Sequence, residues 1–86
     1  MRINDNYVLN KVLDNYIIID VSSNNKTIYK LNKTSLLVFE SIKDGNSLEE
    51  IVKKMIDQYD IDENIAKNDI EELINELKKL SIVIDD

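Results

Sequence analysis

The side chains able to do chemistry in this 86-residue chain are carboxylates, amines and phenols, because it contains no His and no Cys. That removes the thiolate nucleophile, the imidazole base and the ordinary zinc or iron–sulfur site. A single Gly rules out a glycine-rich phosphate loop. Paired carboxylates stand at Glu49/Glu50, Glu71/Glu72 and Asp85/Asp86. Adjacent residues on a helix do not converge on one reacting atom, so these pairs read as solvated charge. No catalytic residue, metal ligand set or cofactor is expected, and the chain is not expected to be an enzyme by itself.

The net charge is −6 and the sequence pI about 4.5. Nucleic-acid binders concentrate Lys and Arg, since phosphate neutralisation supplies most of their affinity, so no nucleic-acid partner is expected. The acidic balance suits a basic peptide or a basic protein patch, and equally suits ordinary solubilising charge. No apolar run approaches the roughly 20 residues of a membrane span. The first six residues lack the apolar core of a signal peptide. A cytoplasmic protein without a membrane partner is therefore expected, and the lack of Cys agrees with that compartment.

What remains is the chemistry of the backbone. Thr27 to Leu31 reads as a short strand that runs directly into an apolar helix. A strand at a sheet edge offers unpaired N–H and C=O groups that an extended peptide can complete. Two strands precede it. Tyr7–Leu13 has Val8, Val12 and Leu13 as its apolar members, and Asp14-Asn15 reads as the turn that follows. Tyr16–Val21 is rich in β-branched and aromatic residues. The polar loop Ser22–Lys26 leads on to Thr27. Short loops make this an antiparallel meander with the third strand at an edge. Tyr29 and Leu31 share one face of that strand, and Ile28 and Lys30 the other.

The helices carry start and stop signals. Asn32 is an N-cap, and Leu36, Leu37, Val38, Phe39 and Ile42 make the first helix apolar on several sides, as in a central helix. Gly45 ends it. Ser47-Leu48-Glu49-Glu50 is a capping box, followed by Leu48, Ile51, Val52, Met55, Ile56 and Tyr59 at helical spacing. Asp62 caps a third helix whose Ala66, Ile70, Leu73, Leu77 and Leu80 form a narrow stripe. Ile82-Val83-Ile84 is a last apolar piece, a strand or a tail on the core. Without linkers or internal punctuation, residues 1–86 read as one domain with residues 1–6 frayed. The expected class is α+β, a three-stranded antiparallel meander packed on a three-helix, winged helix-turn-helix bundle.

These residues resemble a known family. Tyr29-x-Leu31-Asn32-x-Thr34-Ser35, then Phe39 and Ile42 before Asp44-Gly45, then Ser47-Leu48-Glu49-Glu50-Ile51, Tyr59-Asp60-Ile61, Asp69-Ile70 and Leu73-Ile74 with Leu77, look like the PqqD-like family. Its domains are also called RiPP recognition elements, after ribosomally made and post-translationally modified peptides. The resemblance runs from about Tyr7 to Ile84. Phe39 stands where members often carry Trp, and no enzyme domain is fused, which implies a free-standing member. The resemblance implies a non-catalytic module that captures the leader segment of a precursor peptide. The leader adds as a strand along the edge of the third strand and packs against the third helix. The module then presents it to a modifying enzyme, such as a radical S-adenosylmethionine enzyme, a leader protease or a cyclodehydratase.

The candidate peptide contacts are Thr27, Ile28, Tyr29, Lys30 and Leu31 on the strand, with Asp69, Leu73 and Glu76 on the helix. On a helical wheel Asp69, Leu73, Glu76 and Leu80 form one flank of the helix-three stripe, and Lys67, Glu71, Ile74 and Lys78 the other. The first flank joins an apolar floor to an acidic rim, which suits a leader with apolar and basic residues. Leu73 and Leu80 as plain core, with the acids solvated, is the alternative. Tyr29 and Leu31 read as core-facing through their side chains, leaving Ile28 as the exposed apolar pocket residue. Lys30 reads either as a ligand contact or as a charge protecting the edge from aggregation. Two other functions stay open, an acidic winged-helix transcription regulator and a protein–protein scaffold. The state in solution is expected to be a monomer or a strand-paired dimer.

Overall fold

The computed structural model describes residues 1–24 and 26–85. Asn25 of the expected hairpin loop and Asp86 of the last carboxylate pair lie outside the described residues. The element order is β1 (Arg2–Ile3), β2 (Tyr7–Val12), β3 (Asn15–Asp20), β4 (Lys26–Leu31), α1 (Lys33–Lys43), α2 (Leu48–Gln58), α3 (Glu63–Lys79) and β5 (Val83–Ile84). Strands β2, β3 and β4 make an antiparallel sheet in that order, and β1 pairs with β5. The class is α+β, a three-stranded meander with three helices.

The meander's register is set by what must be buried. Leu9 lies opposite Ile18, and Ile18 opposite Tyr29, so these three share the inner face with Tyr16 and Leu31. The β2–β3 turn is Leu13-Asp14, and Val12 pairs with Asn15. This corrects the expected Asp14-Asn15 turn. That turn would slide the strands by two residues and set Leu9 against Asp20. Leu13 therefore does not belong to the strand. It sits in the turn with φ +56°, 86 % exposed. Val8 and Val12, the other apolar members named for this strand, lie on its outer face and are exposed.

Helix α1 packs against α2, α3, β1 and β4, which explains why it is apolar on several sides. Its Val38, Phe39 and Ile42 are buried among Ile18, Leu31, Ile51, Ile70 and Leu77. It ends in a Schellman motif, with the Gly45 N–H donating to the Ile42 carbonyl and the Asn46 N–H to that of Ser41. Gly45 has φ +87°, and a Cβ there would meet nothing within 4 Å. The backbone angle, not lack of space, demands glycine.

The buried stripe of α3 is Ala66, Ile70, Ile74 and Leu77, not the expected run through Leu73 and Leu80. Ile74 turns toward the core, Leu73 is half-buried, and Leu80 stands at the C-cap, exposed. The N-terminus is likewise not frayed throughout. Arg2 and Ile3 pair with Ile84 and Val83, and the Asn4 N–H donates to the Ile82 carbonyl at 2.8 Å. Ile82 and Val83 are buried, and buried backbone polar groups need partners. The strand from the other end of the chain supplies them.

Helix α3 repeats the Schellman device without glycine. The Ser81 N–H donates to Lys78 and the Ile82 N–H to Leu77, with Ser81 at φ +63°. A serine in the left-handed region costs about 1 kcal/mol, partly offset because glycine also loosens the unfolded chain. Ser81→Gly should raise stability by about 0.5 kcal/mol, read as a higher urea midpoint at unchanged slope.

Candidate functional site

Strand β4 pairs with β3 on one side, and no strand pairs with its other edge among the described residues. Beside that open edge runs a groove of about 360 Å³, lined by Tyr29, Asn32, Thr34, Ser35, Asp69, Glu72, Leu73 and Glu76. Helical spacing places 69, 72, 73 and 76 along one strip of α3. The half-buried Leu73 and the Tyr29 ring give the groove its apolar surface, and three exposed carboxylates form its rim.

The junction between β4 and α1 closes one end and is rigidly held. Asn32 Oδ1 accepts from the Ser35 N–H at 2.8 Å, while Ser35 Oγ accepts from the Asn32 N–H at 2.8 Å. This reciprocal capping box satisfies two otherwise free donors. At the other side, the Tyr29 hydroxyl donates to Glu76 Oε2 at 3.3 Å. That contact ties β4 to α3 across 47 residues of sequence.

Burial, and secondarily the negative charge of Glu76 and its hydrogen bond, raise the Tyr29 pKa above its ordinary 10.0. The folded state therefore disfavours the phenolate. Its contribution to stability is complete below pH 10 and is lost as pH rises through the higher folded value. An absorbance titration should show a tyrosine, identified by its loss in Tyr29→Phe, ionising above the ordinary 10.0. Glu76→Gln should move it only part of the way back, because burial remains.

Tyr29, Asp69, Leu73 and Glu76 thus come together. Thr27 and Lys30 do not join them. They lie opposite Ile19 and Ile17 on the outer face, so Lys30 is an exposed charge on the far side of the edge. The Leu31 side chain is core, 6 % exposed, and offers only its backbone. Ile28 corrects the expectation of an exposed pocket residue. The register shifts between Ile18 and Ile19, which pair with Tyr29 and Thr27, leaving Ile28 as the extra residue of a β-bulge. A bulge breaks strict alternation, and Ile28 is half-buried against the core.

Four groove residues, Asn32, Thr34, Ser35 and Glu72, were not among the expected contacts. Glu72 was within reach, three residues after Asp69 on the same flank. Asn32-x-x-Ser35 carried a capping signal but no hint of a groove. The adjacent carboxylates take separate places. Glu72 lines this groove while Glu71 lies on the side toward Leu48, and Glu50 caps α2 by accepting from the Ser47 N–H. Among the described residues, no group of three or more His, Cys, Asp or Glu is placed to hold a metal ion.

A family model described as "Coenzyme PQQ synthesis protein D (PqqD)" matches residues 16–83. No curated protein sequence matches the chain. Two solved structures have a similar fold. One is described as TbiB1 in complex with the TbiA(beta) leader peptide. It is 18 % identical with a TM-score of 0.83, and the match covers 99 % of this chain and 100 % of that one. The other is lasso peptide synthetase B1 complexed with the leader peptide. It is 19 % identical with a TM-score of 0.85, over 98 % of this chain and 96 % of that one.

Proposed function

The chain belongs to the PqqD family, and from that premise we propose that it is a non-catalytic protein that binds the leader segment of a ribosomally made precursor peptide. The leader adds as a strand to the open edge of β4, packs into the groove against α3, and is presented to a modifying enzyme. The observation that carries this reading is the unpaired edge of β4 beside a groove with an apolar floor. Backbone pairing supplies affinity with little sequence preference, and side-chain pockets at alternate positions supply selectivity. That two proteins of similar fold are described as leader-peptide complexes supports it.

In this reading residues 1–86 act as one recognition domain in the cytosol. The enzyme served is a radical S-adenosylmethionine enzyme, a leader protease or a cyclodehydratase. A DNA-reading role gains nothing from α3, which presents Asp69, Glu72 and Glu76 where a major-groove helix needs Arg, Lys, Asn or Gln.

The test is an NMR titration of the folded chain with the leader encoded by a short open reading frame beside the gene. Shifts confined to β4 and to the Asp69–Glu76 strip of α3 are expected. A folded sample showing no shifts with any neighbouring leader would overturn the reading. Shifts centred on β2, the other outer strand, would overturn the docking mode.

A further inference from the structure

The groove's charge is one-sided. Asp69, Glu72 and Glu76 stand along its α3 wall, and no Lys or Arg lines it. None of the three is in an ion pair among the described residues; Lys78 instead pairs with Asp85 at 3.1 Å, beyond the groove-lining strip. Leu73 sits among them as the apolar contact, and Lys30 projects from the opposite face of the β4 edge.

Spacing converts this into a pattern. Asp69 lies one helical turn before Leu73 and Glu76 just under a turn after it, about 6 Å and 4.5 Å along the axis. In an added strand, the residues facing the groove recur every second position, about 6.7 Å apart. In a strand that runs along α3, a side chain seated on Leu73 has its same-face neighbour level with a carboxylate, while the residue between them faces the side that bears Lys30. From the charge complementarity of this wall we propose that the groove selects an extended peptide carrying an apolar residue and a Lys or Arg two positions from it. The inference rests on the peptide-binding reading above and gives it a sequence.

The experiment uses the full chain and a library of acetylated nonapeptides with one fixed Leu and the neighbouring positions varied. Lys and Arg should be enriched over Gln two positions from the Leu, about two- to fivefold as for an exposed ion pair, and not at the position between. The enrichment should vanish at about 0.5 M salt. It should also vanish in the Asp69→Asn, Glu72→Gln, Glu76→Gln triple variant, whose folding is checked by its melting curve. Equal enrichment of cations at every position would mean general attraction to a chain of net charge −6 and would overturn the proposal, as would a preference for acidic or neutral residues there. In either case shifts with the leader still mapping to β4 and α3 would leave the peptide-binding reading standing. Absence of binding by the library and of shifts with the leader would sink both.

Discussion

Leu73→Asp should weaken leader binding by about 30-fold or more while the chain stays folded. Leu73 is half-buried, so its loss leaves no closed cavity in the core. Burying a leucine against a ligand contributes about 1.5–3 kcal/mol, and each 1.4 kcal/mol is tenfold in affinity. The new carboxylate adds a desolvation penalty and a fourth negative charge to the wall. The same substitution at Ile65, an α3 residue that is 57 % exposed and does not line the groove, is the control and should leave binding unchanged. Calorimetric titration of both variants with the leader, beside their melting curves, checks this. If Leu73→Asp binds as the parent does, the ligand does not lie on this strip of α3.

Much of the fold can be read from residues whose roles are local. Asn32, Gly45, Ser47 and Asp62 announce four helix boundaries through backbone donors, acceptors and a positive φ, and each acts as expected. Where a role depends on residues far away in the chain, local reading falls short. Nothing near Arg2-Ile3 says that Val83-Ile84 will pair with it. The choice between Leu73 and Ile74 for the core is likewise undecided by a helical wheel, because adjacent residues border the same stripe. Packing against α2 brings Ile74 in and leaves Leu73 at the groove. The bulge at Ile28 shows the limit most sharply. Alternation sends Ile28 outward, and one extra residue in β4 returns it to the core. The groove itself was legible as an edge strand and an acidic flank. Its closed end was not, since capping boxes are common and only the tertiary fold brings this one beside α3.

Phe39→Ala tests the other half of the design, the core on which β4 and α3 are both seated through α1. Phe39 is 1 % exposed on the central helix, and removing such a ring costs about 3–5 kcal/mol. A chain of this length has a total stability on the order of 4–13 kcal/mol, so the variant should melt at least 10 °C lower, with each kcal/mol worth about 4–8 °C. Binding should respond differently than in Leu73→Asp. The groove residues are intact, so apparent affinity falls only by the fraction of chain unfolded, and saturating leader should raise the melting point again. Phe39→Trp sharpens the comparison. Phe39 borders a hollow of about 440 Å³ between the β1–β2 segment and α1, so the larger ring has room and should cost less than about 1.5 kcal/mol. A Trp variant as damaged as the Ala variant would show that the packing around Phe39 cannot open toward that hollow, and that ring shape rather than volume limits what this position accepts.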